Sequence, residues 1–188
     1  QSLVESVLHE LSRQHDALRL RFYRNDGAWH QSFSNEPTSP VLHWVDLSGV
    51  ERSLQQQQIE QRAIVMQAGL RLEEGPIWQV AYFTMGKGSQ DRMLFVIHHL
   101  VVDGVSWRIL IEDFEHAYQQ LRAKQAVKWP AKTISYKAWA ERLETGAKGD
   151  RLKQELSYWQ AVTDCESAKW PLAALSALGE NNREGTAT

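Results

Sequence analysis

Two apolar runs rich in β-branched and aromatic residues, 78–85 and 93–99, stand on either side of the polar stretch Gly86-Lys-Gly-Ser-Gln-Asp91. Runs of this length separated by a glycine-containing turn read as paired strands, so the segment predicts a hairpin placed centrally in a sheet. The second run continues as Phe95-Val-Ile-His-His-Leu-Val-Val-Asp-Gly-Val-Ser-Trp107, in which two adjacent histidines close an apolar strand and an Asp-Gly turn follows. An imidazole there meets apolar walls and solvent together. The position is costly for a histidine that only packs, and it suits a general base that changes protonation near neutral pH.

The rest of the chain supplies the elements that such a sheet needs. Leu3, Val4, Val7, Leu8 and Leu11 recur at helical spacing, and the helix they define stops near Arg13-Gln-His. Residues 17–22 alternate apolar with cationic, and across the turn Asn25-Asp-Gly27 residues 28–33 are similarly strand-like, which predicts a β-hairpin. A loop at 34–40 with two prolines leads to a strand at 41–45 and then to a long polar helix over 51–68, with Leu54, Ile59, Ala63 and Met66 on its buried side and the glutamines 55–58 on its solvated face. Past Gly104, residues 107–123 form an amphipathic helix with the stripe Ile109, Leu110, Phe114, Ala117, Tyr118 and Leu121. A linker at 129–133 precedes two further helices, at 135–143 and 151–162. Residues 166–188 are expected to form a flexible or interlobe tail.

Composition narrows the class. With 188 residues, 43% of them hydrophobic, and eight tryptophans, the chain has ample material for a core. The net charge of −2, from 21 basic and 23 acidic residues, argues against a nucleic-acid partner. The single Cys165 excludes a disulfide framework and a thiol metal site and fits a reducing cytoplasm. No stretch approaches the roughly 20 apolar residues of a membrane span, and the opening Gln-Ser-Leu-Val-Glu is not a signal peptide, so a cytoplasmic location without membrane contact is expected. The missing initiator Met makes the chain read as cut from a larger polypeptide.

On an extended strand His98 and His99 point to opposite faces, so only one can face a given cavity. Adjacent strand histidines cannot chelate one ion, and the sequence offers no well-spaced further ligands, so no metal site is expected. If the strand ran straight, Asp103 would lie on the order of 13 Å from His99, but Gly104 suggests a turn instead. A buried Asp in such a turn needs a partner. Arg19 is a candidate, which would make Asp103 a structural residue holding the loop that aims His99. His9, His15, His30, His43 and His116, and the tryptophans, read as core or edge residues. Spacing alone leaves His99 open between a satisfied edge residue and a catalytic base.

His98-His-Leu-Val-Val-Asp-Gly104 resembles the His-His-x-x-x-Asp-Gly signature of the condensation-domain superfamily of nonribosomal peptide synthetases. The fold that this implies is a chloramphenicol acetyltransferase-like α/β lobe, with a mixed, mainly antiparallel sheet flanked by helices. The segments Val105-Ser-Trp-Arg-Ile-Leu110, His15-Asp-Ala-Leu-Arg-Leu-Arg-Phe22, Pro130-Ala-Lys-Thr-Ile-Ser-Tyr-Lys-Ala-Trp139 and Leu156-Ser-Tyr-Trp159 look like the epimerization branch, and together these matches span residues 1–165.

The resemblance implies an N-terminal lobe in which His99 is the catalytic acid/base, with His98, Asp103, Gly104 and Arg19 supporting the site and Asp103 pairing with Arg19. It implies inversion, L to D, of an aminoacyl or peptidyl thioester. It also implies that no cofactor is bound directly, the substrate being presented on the 4'-phosphopantetheine of a peptidyl carrier protein, among adenylation and condensation modules. In that family the partner of His99 is a Glu on a second, C-terminal lobe, which is expected to be absent from this chain, so the chain alone should be nearly inactive. Glu112 and Asp113 read as a helix face or a carrier contact. The alternatives are a condensation lobe that forms peptide bonds and a non-catalytic carrier-docking module.

Overall fold

The computed structural model describes residues 1–34 and 40–164. Helix α1 (Ser2–Gln14) lays Val4, Val7, Leu8 and Leu11 against the core, the stripe that its spacing dictates. A short 3-10 turn (Asp16–Arg19) then leads into strands β1 (Leu20–Asn25) and β2 (Ala28–Phe33), which pair antiparallel across a two-residue turn. Asp26 and Gly27 both take positive φ, 49° and 79°, as a tight hairpin turn requires. The alternation at 17–22 thus becomes strand only from Leu20. Before it, Leu18 turns inward to 1% exposure and Arg19 folds back on the end of α1.

The main sheet has the order β3-β4-β5. Strand β3 (Val41–Asp46) runs parallel to β4 (Trp78–Thr84), and β4 runs antiparallel to β5 (Arg92–Ile97). The expected hairpin is therefore present, with β4 at the centre of the sheet and, among the described residues, β5 paired only to β4. Helix α2 (Arg52–Ala68) provides the long connection that a parallel β3–β4 pair needs. Helix α3 (Gly104–Arg122) follows β5.

The two faces of the sheet bury different partners, because side chains alternate along a strand. On one face Trp78 and Val80 join Val4, Leu8 and Leu11 of α1 and Leu110 of α3, and Phe95 meets Phe114 edge-on with ring centroids 5.7 Å apart. On the other, Ala81, Phe83 and Val96 pack with Met66 of α2 and Leu47. Leu54 is not on the buried side of α2: it is 48% exposed, whereas Gln55 is 6% exposed. Gln55 Nε2 donates to the carbonyls of Leu47, Val50 and Met85, so an amide serves where three backbone acceptors converge. The glutamine run is thus not wholly a solvated face.

The linker at 129–133 coincides with a division into two compact units, Gln1–Pro130 and one that begins at Ala131. The second contains α4 (Tyr136–Ala147) and α5 (Asp150–Asp164), with Ser135 Oγ capping α4 by accepting the Ala138 N–H. Trp139 and Trp159, and Trp29 on β2, are 49%, 54% and 62% exposed, against the expectation that tryptophans are core. The expected tail at 166–188, Cys165 and most of the proline loop lie outside the described residues. No described helix is long and apolar enough to cross a membrane.

Candidate functional site

The site is the loop that carries the chain from β5 into α3. The N–H of His98 donates to the Ile77 carbonyl at 3.0 Å, extending the β4–β5 ladder by one residue past Ile97. The chain then turns sharply: the Val101 N–H donates to the His98 carbonyl at 3.0 Å, and the Leu100 N–H donates to His98 Nδ1 at 3.2 Å. This bond folds the His98 ring back onto the start of the loop, where it closes the turn together with the Val101 N–H. His98 is therefore a turn-building residue, half-buried behind the loop. His99 comes next, at the apex of the turn, and is exposed.

Val101 and Val102 anchor the return of the loop; Val102 is 5% exposed in the core that also holds Trp78 and Leu110. Asp103 then begins α3. Its Oδ1 accepts the Ser106 N–H at 2.8 Å and the Ser106 hydroxyl at 2.6 Å, an N-cap that starts the helix at Gly104 rather than at Trp107 as the periodicity suggested. The Ser106 bonds hold the Asp103 carboxyl below its ordinary range, and the nearby His99 acts in the same direction. A Cβ built at Gly104 would meet nothing within 4 Å, so no neighbour in this chain demands a glycine there.

The structure does not join Arg19 to Asp103. Arg19 Nη2 donates to Asp16 Oδ1 at 2.8 Å, and its Nη1 donates to the Ser12 and Arg13 carbonyls. The reason is local. Asp16 stands one 3-10 turn away, the end of α1 presents its last carbonyls to the guanidinium, and Asp103 has committed its carboxylate to the helix it caps.

The tertiary contact that the sequence did not reveal lies one element deeper. His15 Nε2 and Asp113 Oδ2 are 2.8 Å apart, each side chain 21% exposed. Asp113 is thus an inward residue of α3 and not an outer helix face, while Glu112 beside it is exposed. The signal was available: Asp113 falls between Leu110 and Ala117 at helical spacing, and a carboxylate in a buried stripe requires a partner.

The loop and the first turns of α3 that follow His99 expose apolar side chains. Leu100, Val105 and Ile109 are 55%, 65% and 43% exposed, and the latter two stand one turn apart on α3. Among the described residues no three or more His, Cys, Asp or Glu gather as a metal site would require.

Comparison with known proteins agrees with this geometry. The condensation-domain family model matches residues 1–185. A linear gramicidin synthase polypeptide of Brevibacillus parabrevis is 45% identical over 160 residues, which cover 84% of this chain and 2% of that protein. Tyrocidine synthase 2 of the same organism is 37% identical over 159 residues, 85% of this chain and 4% of that protein. The crystal structure of the epimerization domain from the third module of tyrocidine synthetase B superposes with a TM-score of 0.81 at 35% identity, over 90% of this chain and 38% of that one. The first condensation domain of the calcium-dependent antibiotic synthetase shares the fold at a TM-score of 0.70 and 22% identity, over 86% of this chain and 38% of that one.

The chain belongs to the condensation-domain family. It has the chloramphenicol acetyltransferase-like α/β architecture of that family's nonribosomal peptide synthetase members, and it spans only a small part of the length of the curated relatives it matches.

Proposed function

We propose that the chain is the N-terminal lobe of an epimerization domain, and that His99 moves a proton at the α-carbon of an aminoacyl or peptidyl thioester. The observation that carries this reading is the difference between neighbours: the tyrocidine synthetase epimerization domain shares 35% identity at a TM-score of 0.81, against 22% and 0.70 for a condensation domain. The local chemistry supports it. A thioester acidifies the α-proton, and an exposed imidazole at the apex of a rigid turn can take it up without rearranging the fold. The His98 and Asp103 bonds hold the backbone on both sides of His99, so the ring's position is set by residues that do not themselves react.

Inversion requires a proton to leave one face and return to the other, so a second group is needed opposite His99. The apolar rim of Leu100, Val105 and Ile109 suits burial beneath the remainder of the fold, since this chain covers only 38% of the epimerization-domain structure. Substrate would arrive on the phosphopantetheine arm of a carrier protein, with no cofactor held by the lobe. A condensation reading, in which His99 assists attack by an acceptor amine, rests on the family match and the shared fold. The test is solvent exchange in a complete two-lobe domain presented with one carrier-bound residue in deuterated water. Deuterium entering the α-position, and lost in H99A, supports epimerization; peptide formation without such exchange overturns it.

A further inference from the structure

A cleft lined by Arg52, Gln55, Gln56, Ser89, Asp91 and Arg92 opens between the first turns of α2 and the connection from β4 to β5. Arg52 opens α2 on one wall, and its Nη2 donates to Ser89 Oγ at 2.9 Å and to the Gly88 carbonyl at 3.4 Å. Arg92 opens β5 on the other wall, and its Nη1 donates to Gln56 Oε1 at 2.9 Å. Every one of these acceptors is neutral. Among the described residues neither guanidinium is in an ion pair, although each keeps further N–H donors in hand.

The one acid of the lining is already committed. Asp91 Oδ1 accepts the Met85 N–H at 2.9 Å and its Oδ2 accepts the Tyr82 hydroxyl at 2.8 Å, which hold its carboxyl below the ordinary range. The Gln55 amide forms a fixed floor through its bonds to Leu47, Val50 and Met85. The two cations, whose own partners are neutral, thus outnumber the one ionised acid of the lining, a net positive charge that planar guanidinium forks match best to a carboxylate or a phosphate. The cleft is separate from His99: Arg92 begins β5 and His98 follows its end, so about 20 Å of strand lies between them at roughly 3.3 Å per residue.

We infer that this cleft, between Arg52 and Arg92, is an oxyanion-binding site that takes a carboxylate or phosphate group. The reading is independent of the reaction at His99. The test is titration of the isotope-labelled chain with inorganic phosphate and, separately, with acetate, followed by backbone amide shifts. Saturable shifts at Ser89 and Arg92 are expected, weakened about tenfold in either R52Q or R92Q, as loss of a charged hydrogen bond predicts. Both arginines are exposed, so these variants should fold, and R122Q, which removes an equal charge from the exposed end of α3, should bind as the parent does. Saturation at lower phosphate than acetate assigns a phosphate ester as the natural group, and the reverse order assigns a carboxylate. No saturable shift with either probe, or unchanged binding in both R52Q and R92Q, overturns the site.

Discussion

His15 and Asp113 bridge the end of α1 to the middle of α3, their Nε2 and Oδ2 atoms 2.8 Å apart although 98 residues separate them in the chain. The pair ties the helix that begins at the candidate site to the helix that opens the chain, beside the apolar contacts of Leu8, Leu11 and Leu110. D113A should lower stability by about 1–2 kcal/mol, the cost of losing a charge-assisted bond that is not fully buried. H15A should cost a similar amount, and the double variant less than the sum of the two, because both single changes remove one shared bond. Denaturant unfolding followed by tryptophan fluorescence checks this; strictly additive losses would show that the contact carries no energy.

Asp103 links the pH dependence of α3 to its capping. Its carboxyl is held below the ordinary range by Ser106, so the folded state favours the ionised form. The stabilisation is full above the ordinary carboxylate range and is lost as pH falls through the depressed folded value. D103A should unfold at lower denaturant than the parent at neutral pH, and D103N, which still caps, should lose less while flattening the acid limb. Unfolding curves of the three proteins from neutral pH into the acid range measure both effects, and an acid limb unchanged in D103N would refute the assignment.

Gln55 is a buried polar group that the core requires. Q55L adds apolar volume of similar size but takes the amide donor from the carbonyls of Val50 and Met85, the Leu47 carbonyl keeping only the Val50 N–H. A loss of about 2–3 kcal/mol is expected, in contrast to a gain from burying a leucine. L54A, on the exposed neighbour, should change stability by less than about 0.5 kcal/mol. Thermal or denaturant unfolding of the two variants side by side distinguishes these outcomes.

His99 and Gly104 separate chemistry from fold. In a complete two-lobe domain H99A should lower α-proton exchange by about 100-fold or more, the usual contribution of a positioned acid/base, with thermal unfolding unchanged. G104A should also unfold as the parent does, since a Cβ there meets open space. A large stability loss in either variant would assign it a structural role instead.

The local elements and the identity of the loop were legible before folding. Helical spacing defined α1, Asp26-Gly27 defined the turn of the first hairpin, and the two apolar runs defined β4 and β5, because these features depend on neighbours a few residues apart. The His98–Gly104 motif, and the similarity it carries, pointed to the family. Partners distant in sequence, and the choice between near and far ones, emerged only in the packed chain. Arg19 took Asp16 because a carboxylate one turn away was already in reach, and Asp103 took the helix N-terminus that follows it. Gln55 was buried because Leu47, Val50 and Met85 bring their carbonyls together only once α2 lies on the sheet. Periodicity assigns a residue to a face, but only packing supplies the groups opposite that face, and those groups settle which polar side chains are needed inside.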